Sequence, residues 1–485
     1  MMRISRRIPR LEWATELVLL AVACGGGHLS PPGDALEDGP DGSAYDHSRD
    51  SGKDKGGGDP ARLQWPEARL VVPGATTPAL AIAGGTVLLA YTRADQELVL
   101  RAGPVDGSEV VLSTRDEPGV GVTRYAPPRI AADPGARRAV VLWSFGEVDL
   151  RTAWWRDGAV EAPDTSIIDL RGIPLLDWNP ARSLSVAWSS SGPLAVIDSI
   201  EPSVQVMNPD GTPGPSQKAR DVVYAFPIPG PADPPLPWPD ATVEMADYPG
   251  GYYLGYGESP SIAPLASRAE WGPGPAALVV ASFPQWNVEG GETRLPGFAW
   301  AVARLVPGSQ GRNGRWLEPV MRGHLDLPDS EPKAWMQIHS LGPDHGVLTY
   351  CRPEGSTAVY DIFLQRYVLG ADGVPAVEGG FVNVSETFGF TDHSEYPVVL
   401  PAGDGRFWVA WRESEFGPRV ALYDAQLNRV GIAAPELELH QDPSDAVAAA
   451  VDATGALHLA AVVFPRSSQI GQGDPEVRYW VIDRP

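Results

Sequence analysis

The chain has 485 residues, 61 carboxylates against 38 lysines and arginines, and a net charge of −23. Such a surface repels polyanions, so nucleic acid is excluded as a partner and an anionic membrane face would repel the body. The length exceeds a typical single domain but suits one large all-β repeat structure.

Taken in chain order, residues 1–23 read as a secretory signal. Arg3, Arg6, Arg7 and Arg10 form a basic start, and Leu17 to Ala23 form a short apolar run. Seven residues would span about 10 Å as a helix against roughly 30 Å of hydrocarbon, too little to cross a membrane. The segment Ala21-Val22-Ala23-Cys24 resembles the lipobox of bacterial lipoproteins. That resemblance implies that Cys24 is acylated and holds the protein at the bacterial cell envelope, at the outer membrane. More than one acyl chain is what stable anchoring needs. An ordinary cleavable signal ending at cysteine is the alternative. Ser5-Arg6-Arg7 resembles a twin-arginine signal, although Pro9 stands where that family prefers an apolar residue.

Residues 24–62 follow as a Gly, Asp, Ser and Pro-rich stretch almost free of large apolar side chains. Such a sequence buries too little surface to offset its ordering entropy, which predicts a flexible tether. With Cys24 committed to the membrane, Cys351 is left alone, and a structural disulfide is excluded. Cys351 closes the apolar run Gly346 to Cys351 and reads as a buried, inert thiol.

From residue 63 to 485 one unit recurs: an apolar strand, a tight Gly-bearing turn, and a second apolar strand that often ends in an aromatic. The copies are TPALAIAGGTVLLAYT (77–92), PRIAADPGARRAVVLW (128–143), SLSVAWSSSGPLAVI (183–197), TVEMADYPGGYYLGY (242–256), AWMQIHSLGPDHGVLTY (334–350), YPVVLPAGDGRFWVAW (396–411) and AVAAAVDATGALHLAAVV (446–463). Each reads as a β-hairpin whose glycine supplies the turn. The second strands end at Tyr91, Trp143, Ile197, Tyr256, Tyr350, Trp411 and Val462, a period of 50 to 60 broken by one step of 94. Three or four strands per unit at that period predict an all-β fold, a seven-bladed β-propeller with the aromatics wedged between blades. The long step also holds the strand-like runs 276–283 and 297–306, so an eighth, degenerate blade is the alternative. Residues 64–72 are expected to supply a strand that closes the ring.

The sixth copy, FVNVSETFGFTDHSEYPVVLPAGDGRFWVAWRE (381–413), resembles a repeat of bacterial sialidase-like propellers, with its Asn-x-Ser, Ser-x-x-Pro, Gly turn and closing Trp-Arg. VDATGALHLAAV (451–462) is similar to the corresponding strand, turn and strand. The resemblance implies a propeller. The chain lacks the family's Asp-box, and no three arginines stand out as a carboxylate-binding set, so the fold carries no function.

Local signatures of chemistry are scarce. The eight histidines show no zinc-ligand spacing, and His339 and His345, flanking the turn HSLGPDH, are the closest pair. His458 reads as structural. The acidic turns at 131–136, 208–214, 370–375 and 402–406 read as Gly turns in which Asp bonds nearby backbone, not as calcium loops. No metal and no cofactor is expected. Glu244, Asp247, Asp392, Glu395, Glu413 and Glu415 lie near the hairpins, but no pair among them is singled out. Seven prolines make 224–240 an extended insertion, and 257–298 reads as a second, Pro- and Trp-rich one. These insertions carry Trp238, Trp271 and Trp286, the candidate ligand-binding residues, because loop aromatics stack on sugars or anchor protein partners. The expectation is an envelope-anchored binding or scaffold propeller for a glycan or protein. The alternatives are a carbohydrate-active enzyme with carboxylates at the propeller mouth and a purely structural envelope protein.

Overall fold

The computed structural model describes residues 61–93, 97–114, 128–145, 149–169, 184–201, 205–207, 213–216, 220–236, 258–266, 275–282, 297–305, 317–327, 334–353, 360–385, 394–413, 417–435, 447–464 and 474–485. Among them are strands and turns, and no helix. Seven sheets of three to five strands form the blades of a propeller. Blade one comprises Thr76–Ala83, Thr86–Thr92, Leu98–Ala102 and Glu109–Ser113. Blade two comprises Arg129–Ala132, Arg138–Phe145, Asp149–Arg156 and Ala159–Asp169, and blade three Leu184–Ser189, Gly192–Glu201 and Arg220–Pro227. Blade four holds Glu258–Leu265, Ala276–Ser282, Gly297–Leu305 and Leu317–Asp326, and blade five Ala334–Ser340, His345–Pro353, Tyr360–Leu369 and Pro375–Asn383. Blade six holds Ser394–Gly403, Arg406–Glu413, Gly417–Tyr423 and Arg429–Ala433, and blade seven Ala448–Val451, Leu457–Val463 and Glu476–Ile482.

The first strand of each blade packs against the first strands of the blades on either side, the seventh against the first. Those seven strands therefore encircle the axis. The apolar core is divided in the same way, into seven clusters with one at each junction between blades. Tyr91, Trp143, Tyr350 and Trp411 are inaccessible to solvent, and each lies in the cluster shared with the preceding blade. These aromatics are the wedges that the repeat predicts. Each contributes about 2–3 kcal/mol of burial.

The ring closes through the N-terminal side of the body. Leu70–Pro73 forms the outer strand of blade seven, with Leu70 opposite Tyr479 and Pro73 opposite Glu476. Just before it, Ala61–Arg62 adds a fifth, parallel strand to blade six, beside Gly431 and Ile432. Trp65 then meets Trp480 edge to face at 5.6 Å.

The fourth unit differs from expectation. The hairpin read at 242–256 lies outside the described residues. The runs weighed as an eighth blade are instead the second and third strands of blade four, behind the first strand Glu258–Leu265. Pro260 and Pro264 made that first strand read as an insertion. It is an edge strand of its sheet, however, and proline is tolerated where one side of a strand needs no partner. Most of 257–298 that is described is thus blade rather than insertion.

Among the described residues blade three has no fourth strand. From Pro227 the chain climbs the wedge between blades two and three. Ile228 N–H donates to Pro193 O at 3.0 Å, and Leu236 N–H to Ile167 O at 2.7 Å. Trp154 Nε1 donates to Pro229 O at 3.1 Å, and Ile228 and Leu236 join the wedge core. The described part of the Pro-rich segment is therefore packing material.

The two faces of the ring are unequal. One carries mostly tight turns, as at Gly84-Gly85, whose φ of 52° and 80° suit glycine. The other face takes the longer connections between blades, from Ser113 to Arg129, Asp169 to Leu184, Asn383 to Ser394 and Ala433 to Ala448.

Candidate functional site

On the face of the longer connections, the first strands of blades one, four, five and six begin with a bulge. Register slips between Thr76 and Ala79, Glu258 and Ser261, Ala334 and Gln337, and Glu395 and Val398. Pro78, Pro260 and Pro397 occupy three of the bulges, where a missing N–H interrupts no ladder. In blades one and six the residue before the proline is left-handed: Thr77 at φ 48° and Tyr396 at φ 53°. A bulky residue holds that conformation at a cost of about 1–3 kcal/mol, which the surroundings must offset. Thr77 has an evident structural partner, since its hydroxyl bonds that of Thr92 at 2.7 Å in the core. Tyr396 instead carries its half-buried ring beneath the guanidinium of Arg412, 5.3 Å from the ring centroid.

Arg129 stands on the same face of the ring, in blade two. It starts the first strand of blade two, and its Nε donates to Leu184 O of blade three at 3.0 Å. Blades two and six are not neighbours, yet the Tyr396 hydroxyl acts on the charge of Arg129. Burial lowers the Arg129 guanidinium to about 10, and Tyr396 partly offsets that fall. Arg129 retains partial solvent access. Among the described residues it has no carboxylate partner.

Behind Tyr396 the wedge between blades five and six is charged. Glu413 and Arg419 are 1% and 4% exposed there, whereas Arg412, 2% exposed, lies on the other face of its strand with Trp408 and Ala410. Glu413 Oε2 accepts Ser394 Oγ at 2.9 Å and Trp411 Nε1 at 3.1 Å. Burial lowers Arg419 to about 10, with Glu413 acting against the fall. Buried charge is costly even when paired. A mouth lined by Arg129 and Tyr396, with Arg412 buried against the tyrosine ring, is suited to holding an anionic group.

Cys24, Trp238, Trp271 and Trp286 lie outside the described residues, as do Glu244, Asp247, Asp392 and Glu415. Of Glu395 only the backbone is described. Glu413 is the one carboxylate of that set whose side chain is placed in this cluster. The strand ends that flank Trp271, Leu265 and Ala276, open on the tight-turn face, whereas Ser282 and Gly297, flanking Trp286, open on the mouth face. His339 and His345 are set apart by environment: burial pushes His339 down to about 3, while exposed His345 meets Asp344 at 2.9 Å. His458 is a satisfied core histidine, between the Tyr479 hydroxyl at 2.6 Å and Asp452 at 3.1 Å. Asp133 accepts Gly135 N–H at 2.9 Å and Asp372 accepts Val374 N–H at 3.1 Å, turn chemistry as read. Among the described residues no three His, Cys, Asp or Glu side chains gather as a metal site. Arg129 and Tyr396 went unread in the sequence. The available signal was the proline recurring at the start of the first strands, in Pro128-Arg129 and Tyr396-Pro397.

No family model and no curated protein matches the chain. Solved structures do. An ulvan lyase of a polysaccharide lyase family is 7% identical at a TM-score of 0.45, over 87% of this chain and 96% of that one. The sialidase of Trypanosoma rangeli is 7% identical at 0.34, over 85% of this chain and 55% of that one. A prolyl endopeptidase is 12% identical at 0.36 over 82% of this chain, which spans about half (47%) of its length. At such identities and scores these likenesses say nothing of ligand or chemistry.

Proposed function

We propose that the chain is an envelope-anchored recognition propeller that binds an acidic glycan at the mouth between Arg129 and Tyr396. The observation that carries the reading is Arg129, a half-buried guanidinium at the start of an inner strand, held by Leu184 O and without a carboxylate partner among the described residues. In a chain of net charge −23, an arginine at the mouth selects anionic groups, and an aromatic ring there offers a face for a sugar. Calorimetric titration of residues 57–485 with carboxylated and sulfated oligosaccharides, and with neutral ones of equal length, tests it. Acidic sugars should bind with an affinity that falls as salt rises, and Arg129→Ala should weaken them about tenfold or more. Equal binding of neutral sugars, or no loss in Arg129→Ala, would refute the site. Release of product during the titration would turn the module into an enzyme.

The anchor is a separate part of the proposal, supported by the run Leu17 to Cys24. Wild type should incorporate a fatty-acid analogue and Cys24→Ala should not; label retained by the variant would sink it.

A further inference from the structure

The buried carboxylate of Glu413 holds a different kind of partner from the other buried carboxylates at the same level of the ring. In blade two, Asp149 accepts Ser166 Oγ at 2.6 Å, from the outer strand of its blade. In blade five, Asp361 accepts Asn383 Nδ2 and Ser385 Oγ, both at 2.9 Å, where the outer strand ends. Each of these fastens the rim. Glu413 reaches the other way, to Ser394, the first residue of the innermost strand of blade six. Ser394 and Glu413 are directly opposed in the ladder, and the bulge that turns Tyr396 into the left-handed region begins one residue later. Cys351 Sγ also donates to Ser394 O, at 3.6 Å, which ties the same residue to blade five. The second bond of Glu413, from Trp411 Nε1, fixes the carboxylate in the wedge core.

We propose that Glu413 is a positioning residue: through Ser394 it pins the start of the inner strand and so holds the strained bulge that presents Tyr396 at the mouth. It acts through its hydrogen bonds to Ser394 and Trp411. The consequence for binding rests on the acidic-glycan reading, but the pinning itself does not.

Two measurements separate them. Hydrogen–deuterium exchange in residues 394–400 reads the pinning without ligand. Ser394→Ala and Glu413→Ala should speed exchange there about tenfold or more while blades one to three keep wild-type protection. Glu413→Gln, whose amide oxygen still accepts both bonds, should restore it. Unchanged exchange in Ser394→Ala and Glu413→Ala would overturn the proposal, and so would Glu413→Gln behaving like Glu413→Ala, since charge and not hydrogen bonding would then be responsible. Titration with trigalacturonate is the second measurement. Ser394→Ala should weaken it about tenfold with its salt dependence unaltered, because no charge is removed. Wild type that fails to bind trigalacturonate counts against the mouth. Wild-type affinity in a Ser394→Ala protein whose bulge exchanges fast would show that the bulge does not serve it.

Discussion

Blades two and six are built on the same frame and spend it differently. Trp143 stands opposite Arg151 in blade two, and Trp411 opposite Arg419 in blade six. Two residues beyond the tryptophan, blade two has Phe145 and blade six has Glu413. Blade two carries its carboxylate on the third strand instead. There Asp149 takes Arg151 Nε at 2.8 Å, and Asp164 meets the same guanidinium at 2.8 Å. The Trp143 indole N–H is left without a partner among the described residues. Moving one carboxylate from the third strand to the second thus redirects a polar cluster from rim to axis. Blade two uses the arginine to close its own edge, and blade six builds a mouth.

The comparison can be tested in descending steps. Truncating either wedge, Trp143→Ala or Trp411→Ala, should cost about 3–5 kcal/mol, read by denaturant unfolding, since both are fully buried. A much smaller loss in one would show that the two blades do not share a frame. Keeping the ring and deleting only the N–H should split them. Trp411→Phe leaves Glu413 short of a donor and should cost about 1–3 kcal/mol more than Trp143→Phe, which removes an orphan. Equal costs would break the contrast. The smallest effect belongs to the rim. Ser166→Ala should lower stability by about 1 kcal/mol and leave glycan affinity unchanged. Altered affinity there would mean that blade two also shapes the mouth.

Much of this architecture was legible in the sequence, because a Gly turn between two alternating strands is a local signal repeated along the chain. The fourth blade escaped for an equally local reason. Pro260 and Pro264 disguise an inner strand whose free edge tolerates proline, while 242–256 carries the hairpin pattern more plainly than the blade itself. The mouth is harder to read. Arg129 and Tyr396 come from blades that are not adjacent, so no spacing in the sequence links them. Glu413 was one of six nearby carboxylates until burial and its bond to Ser394 set it apart. The three tryptophans drew attention through composition, whereas the described residues at the starts of the inner strands include Arg129 and Tyr396.

The closing strands also define how the ring takes a load. Ala61–Arg62 runs parallel to Arg429–Ala433, a strand that leaves the tight turn at Asp424–Asn428, so the chain enters at the tight-turn face and runs toward the mouth. Leu70–Pro73 follows the same direction along blade seven. The C-terminal end is fastened on that face as well, by Arg484 Nη1 to Ala402 O at 2.8 Å. Tension applied through the upstream chain therefore acts along these strands and not across them. Their hydrogen bonds share the force in shear instead of failing one after another, and the pull enters on the side of the ring opposite the mouth.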